Sequence, residues 1–152
     1  MPLALFDLDN TLIAGDSDHT WGQFLADNGR VDPIQYKVQN DKFYSDYVLG
    51  DLNIYAYLEF SLGILAKIPM DELNAIREEF VKKCIAPMRL PKAQSLLKTH
   101  RDAGDDLIVI TSTNRFIAEP ICNMLGVSDL LATELATKEG RYTGEVVGVP
   151  AY

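Results

Sequence analysis

Cysteine is scarce in this chain, with two residues, and so is histidine, also with two. Cys84 and Cys122 lie far apart and show no spacing that would assemble a metal site. Both fall in segments of helical periodicity, so both are expected as buried free thiols. His19 and His100 each stand alone on an expected helix, without a second ligand at metal-binding spacing. A packing or surface role is expected for His100, while His19 falls where a substrate contact is open to it. Long apolar runs are missing: nothing approaches the roughly 20 residues needed to span a bilayer. The opening apolar run meets an acid at Asp7, too early for a secretory core, so the cytoplasm is the expected location. Basic residues are in deficit, 14 Lys and Arg against 22 Asp and Glu, for a net charge of −8. Nucleic-acid or anionic-membrane binding needs a basic face, and this balance argues against both. A small phosphorylated metabolite stays open as partner, because one local cation can dominate a pocket.

What is present begins at Leu3-Ala4-Leu5-Phe6, an apolar run of the length of a buried strand, followed by Asp7-Leu8-Asp9-Asn10-Thr11. Open α/β sheets place their chemistry at the carboxyl ends of strands. Residues two apart in extended chain share a face, so Asp7 and Asp9 can look into one crevice. On spacing alone, an ordinary strand with a polar turn is the better explanation of the pair, since acidic pairs are common.

Four helical segments follow. Asp18 reads as the N-cap of a helix on Trp21, Phe24 and Leu25 that ends near Gly29. Asp32-Pro33 opens a second, running toward Leu49 and stopping at Gly50. A third starts at Asn53, and a fourth near Met70-Asp71 extends through Cys84. The stretch 16–85 is therefore a helical insertion after the first strand. A helix from about Pro91 to Ala103 leads into a second strand, Asp106 to Thr111, ending in the polar run Thr111-Ser112-Thr113-Asn114. Arg115 to Leu125 continues as a helix whose first turns Pro120 should distort. Leu130 to Val147 contains a hairpin turning at Gly140.

The run Phe-Asp-Leu-Asp-Asn-Thr-Leu resembles the first motif of the haloacid-dehalogenase superfamily of phosphohydrolases, Asp-x-Asp-x-Thr after an apolar strand. The resemblance implies an α/β fold, a Rossmann-like core with a partial parallel sheet (1–15 and 86–152), and a helical cap (16–85) of the phosphoserine-phosphatase type. It assigns Asp7 as the nucleophile that carries a phosphoryl group and Asp9 as the general acid and base. It gives Leu8 a backbone amide aimed at phosphate. Thr111 takes the phosphate-binding hydroxyl of the second motif, with the Ser112 amide as a further donor. Asp7 and the carbonyl of Asp9 are the implied metal donors. A carboxylate attacking an anionic phosphate needs a cation to neutralise charge, and Mg²⁺ fits that need.

The family's later lysine and acidic pair find no counterpart before Tyr152, so the expectation is the front part of a longer phosphatase, with the first strand on an open edge. Matching along the helical region brings Asp16 to the position of an acid near the substrate amino group. It brings Ser61 to that of a carboxylate-binding arginine, with Glu59 nearby. Acids without an arginine favour an amine-bearing ester. The opening motif, Gly-Asp-Ser-Asp-His-Thr-Trp and Thr-Ser-Thr-Asn-Arg-Phe are similar to histidinol-phosphatase members. The expected activity is a Mg²⁺-dependent phosphomonoesterase on histidinol phosphate or a phosphoserine-like ester. Two alternatives stay open: a phosphotransferase on the same core, and a non-catalytic chain that binds a phosphorylated ligand or a partner.

Overall fold

The computed structural model describes residues 2–148. Three parallel strands, β1 (Leu3–Phe6), β2 (Asp106–Asn114) and β3 (Asp129–Thr133), form a sheet in that spatial order. Leu5 pairs with Ile108, and Ile110 with Leu131. β1 is thus an edge strand. Its apolar run predicts burial throughout, yet only Ala4 and Phe6 are buried, while Leu3 is 62% and Leu5 58% exposed. The reason is coverage of the sheet on one face. In-register neighbours share a face, so Leu3, Leu5, Ile110 and Leu131 lie together on the open side, all exposed.

Between β1 and β2 run α1 (Ser17–Asp27), α2 (Pro33–Leu49), α3 (Ile54–Lys67), α4 (Met70–Phe80) and α5 (Pro91–Asp102). Asp16, not Asp18, caps α1: its carboxylate accepts from the His19 amide at 2.9 Å. The helix therefore starts two residues earlier than the sequence suggests, with an acid of the same type in the cap position. Asp32 caps α2 with Pro33 in its first turn, and Gly50, at φ +79°, supplies the left-handed stop. Asn53 caps α3. α4 runs on into a π turn (Val81–Ile85) and a 3-10 turn (Ala86–Met88), which carry Cys84 only half-buried, against the expectation of burial. Cys122 is buried, which pushes its thiol up to about 12. No helix among the described residues is long and apolar enough to cross a membrane.

α6 (Arg115–Leu125) follows β2 directly, capped by Asn114, which accepts from the Ile117 amide at 3.0 Å. Pro120 sits inside this helix without ending it. Proline has no N–H to give the carbonyl four residues back. That carbonyl, on Phe116, accepts instead from the Arg77 guanidinium of α4 at 3.0 Å, and the same guanidinium lies 4.6 Å from the Phe116 ring centre. The hairpin is shorter than the sequence suggests, because Asp129–Thr133 joins the parallel sheet. It consists of β4 (Leu135–Lys138) and β5 (Arg141–Val146), turning at Glu139 and Gly140, both with positive φ.

One core joins sheet and helices. Trp21 of α1 meets Phe80 of α4 and Phe116 of α6 edge-on, at 5.2 and 5.7 Å between ring centres. α2 and α3 form an outer aromatic layer, with Tyr36 stacked on Phe60 and Phe43 against both Phe60 and Tyr57. His100 packs edge-on against Phe6 and pairs with Asp105 at 2.7 Å, the packing role expected of it.

Candidate active site

β1 delivers Asp7 at its carboxyl end, and a tight turn returns the chain toward α1. In that turn the Leu8 carbonyl accepts from the amides of Thr11 and Leu12, and Asn10 takes a left-handed φ of +58°. Asparagine tolerates that conformation better than most residues. The Ala14 amide ties the turn to the Met88 carbonyl at 2.8 Å. Leu8 itself is a fully buried side chain, and it does not line the cavity that opens beside Asp7 and Asp9.

The two acids are held differently. Asp7 is exposed, and among the described residues its carboxylate accepts one hydrogen bond, from the Thr11 hydroxyl at 3.2 Å. Asp9 is locked: one carboxylate oxygen accepts from the Ser17 amide at 2.7 Å and the Ser17 hydroxyl at 2.6 Å, the other from the Thr113 hydroxyl at 2.8 Å. Burial raises the Asp9 pKa from its ordinary value. The Ser17 and Thr113 hydrogen bonds oppose that rise, and the Asp16 charge adds to it.

The cavity has two chemically distinct ends. On the sheet side lie Thr111, Ser112 and Thr113, with the Thr111 hydroxyl accepting from the Thr113 amide at 3.1 Å. On the helix side lie Asp16, Asp18 and His19 of the α1 start, Phe43, Tyr44 and Tyr47 of α2, and Tyr57 of α3. No Lys or Arg lines it among the described residues. Asp18 accepts a hydrogen bond from the Tyr57 hydroxyl. Burial pushes its carboxyl up to about 7, opposed by the Tyr57 bond and reinforced by the charges of Asp16 and Asp9. His19 has Asp41 at 3.6 Å from Nε2 and Tyr44 against its ring. Its Nδ1 is buried with no partner among the described residues.

Of the residues expected from the sequence, Asp7, Asp9, Asp16, Thr111 and Ser112 meet at this cavity. Glu59 and Ser61 do not line it; both lie on α3, with Glu59 exposed toward open surface. The α3 residue that reaches the cavity is Tyr57, two positions before Glu59. Ser17, Thr113 and Asp18 were not expected as site residues. Thr113 carried a signal, being two residues after Thr111 and so on the same strand face.

Hard oxygen donors are available for a cation. Asp7 has a carboxylate with a single long hydrogen bond, whereas both Asp9 oxygens are engaged, leaving Asp9 its main-chain carbonyl. No group of three or more His, Cys, Asp or Glu side chains is placed to hold a metal among the described residues. The donor set fits part of a Mg²⁺ shell, an ion that commonly takes one or two carboxylates and completes its six oxygens with phosphate and water.

Residues 4–152 match the haloacid dehalogenase-like hydrolases, and the chain belongs to that family. It is 45% identical over 150 residues to a histidinol-phosphatase of Neisseria meningitidis, an alignment covering 98% of this chain and 68% of that one. It is 30% identical over 151 residues to a phosphoserine phosphatase of Mycobacterium tuberculosis, covering 95% of this chain and 48% of the relative. Among solved structures, a Bordetella pertussis protein of unknown function superposes with a TM-score of 0.92 at 41% identity, over 99% of this chain and 68% of that one. A phosphoserine phosphatase solved as a phospho-aspartyl intermediate analogue shares the fold, with a TM-score of 0.66 at 21% identity over 97% of this chain and 63% of that one.

Proposed function

We propose that this chain carries the reacting carboxylates of a cytoplasmic phosphomonoesterase acting on a small amine-bearing phosphate ester, with histidinol phosphate as first candidate and a phosphoserine-like ester as second. The observation that carries the reading is the contrast between Asp7 and Asp9. One carboxylate lines the cavity exposed, with a single 3.2 Å hydrogen bond from Thr11 among the described residues, and its neighbour is fixed by three hydrogen bonds. Asp7 attacks phosphorus, forming an O–P bond as the bond to the leaving oxygen breaks, and Asp9 gives that oxygen its proton. Water then attacks the aspartyl-bound phosphorus while Asp9 takes the water's proton back, releasing phosphate and restoring Asp7. The raised Asp9 pKa supports the proton-holding role, and the Thr113 hydroxyl can rotate from donor to acceptor as Asp9 changes state.

Asp7 and the Asp9 carbonyl would hold Mg²⁺, which neutralises charge on the phosphoryl oxygens when bound. Thr111 and Ser112 would receive the phosphate. Asp16 keeps a second carboxylate oxygen for the leaving group, its first being engaged by the α1 cap. The division into core (1–15 and 86–152) and cap (16–85) belongs to the same reading, in which the α2 and α3 aromatics roof the site and exclude water.

The test is acid-quench trapping with ³²P-labelled histidinol phosphate and Mg²⁺. The expected result is label on wild-type protein and none on Asp7→Asn. Label that persists in Asp7→Asn, or absence of Mg²⁺-dependent phosphate release from any ester tried, would overturn the reading.

A further inference from the structure

The helix-side end of the cavity presents acceptors and aromatic rings, and among the described residues no Lys or Arg. Asp16 has one carboxylate oxygen engaged, by the His19 amide. Asp18 is bonded by Tyr57 and faces the like charges of Asp16 and Asp9. His19, on the same wall, adds a buried ring nitrogen without a partner among the described residues. A buried carboxyl without a cationic neighbour is unfavourable as an anion, and a buried acceptor left unpaired forfeits its hydration. A ligand bringing a positive charge and several N–H donors relieves both at once. A ligand bringing a second carboxylate would meet only repulsion there.

We propose that Asp18, positioned by Tyr57, is the counter-ion for an ammonium group on the leaving alcohol and sets the preference for amine-bearing esters. The inference rests on the phosphatase reading and deepens it by naming the residue that selects the substrate. Asp18 lies on the first turn of α1, one residue after the Ser17 that fixes Asp9. An ammonium seated on it therefore places the ester oxygen along the same helix start that orients the acid. Tyr57 comes from α3, so recognition draws on two helices, and the hydroxyl keeps one Asp18 oxygen occupied while the other is left for the ligand. The rings of Phe43, Tyr44 and Tyr47 add faces that favour a cation over a neutral group.

The experiment compares kcat/KM for histidinol phosphate and its desamino analogue, in wild type, Asp18→Asn and Asp18→Glu. Asparagine keeps the size and the acceptor for Tyr57 while removing the charge. The expected result is that the preference for the amine-bearing ester falls tenfold or more in Asp18→Asn, through KM rather than kcat, and is partly restored in Asp18→Glu. An unchanged preference, or a parallel loss on both esters, would overturn the proposal. Binding of histidinol, which has no phosphate, is measured in parallel by calorimetry and needs no turnover. Tenfold weaker binding to Asp18→Asn supports the proposal even if neither ester is hydrolysed, a result that would count against the phosphatase reading alone. Equal binding to both proteins, or no binding to wild type, overturns the proposal.

Discussion

At the scale of single residues, the site couples function to a stability penalty. Asp18 has its pKa raised to about 7, so the folded protein holds that proton more tightly than the unfolded chain does. The sign follows from linkage: the group's contribution is intact below the ordinary carboxylate range near pH 4 and is lost as pH rises through about 7. The charged groups facing it, Asp16 and Asp9, reinforce the loss, and the Tyr57 and Tyr36 hydroxyls lie nearby. Asp18→Asn should therefore be more stable than wild type at pH 8, by on the order of 2 kcal/mol, and no more stable near pH 4. Urea melts at the two pH values check this; equal midpoint differences at both would refute it. Residues of this kind were only partly legible in the sequence. Asp7 and Asp9 announce themselves by spacing after an apolar strand. Ser17 and Thr113 do not, because what makes them important is that β2 and α1 meet at one carboxylate, roughly a hundred residues apart in the chain for Thr113. Tyr57 was displaced by Glu59 and Ser61 because matching along a helix fixes distance but not which of its faces turns to the cavity.

At the scale of elements, local signals served well wherever the chain carries its own stop and start. Asp32-Pro33, Gly50 and Asn53 act through their own backbone and cap geometry, so α2 and the start of α3 are readable without tertiary information. Pro120 is the opposite case, since the donor that replaces its missing N–H comes from Arg77 on another helix and has no local signal. Arg77→Met should leave the buried Phe116 carbonyl without a donor and destabilise by about 1–3 kcal/mol. In a Pro120→Ala background the helix regains its own N–H donor, and the same substitution should lose less than half as much; a double-mutant cycle by denaturant unfolding measures the difference. Two helical glycines give a second contrast. A Cβ on Gly22 would stand 2.7 Å from the Tyr36 hydroxyl and 2.9 Å from the Asn40 amide nitrogen, where α1 crosses α2. Gly22→Ala should destabilise by about 1–3 kcal/mol. Gly63 in α3 faces open space, so Gly63→Ala should stabilise by about 0.5–1 kcal/mol, both read as shifts in thermal midpoint.

At the scale of the whole molecule, the sheet is covered on one side only by the described residues. Leu3, Leu5, Ile110 and Leu131 make an exposed apolar strip that runs to the free edge of β1, a combination that invites pairing with another chain. Leu5→Lys, on that edge, should reduce concentration-dependent self-association without lowering the thermal midpoint by more than about 1 kcal/mol-equivalent, since the side chain is already 58% exposed. Sedimentation velocity at several concentrations checks it, and unchanged association would show that the strip is not the adhesive surface. The order of the strands also has a consequence in time. β1 finds its partner in β2, Leu3 opposite Asp106, with every one of the five helices before β2 made in the interval. At a synthesis rate of roughly 5–20 residues per second, β1 emerges from the ribosome on the order of 5–20 s before β2 exists for it to pair with. For that period Asp7 stands at the end of a strand without its sheet partner, and the cavity it shares with Thr111 and Thr113 closes only when β2 arrives.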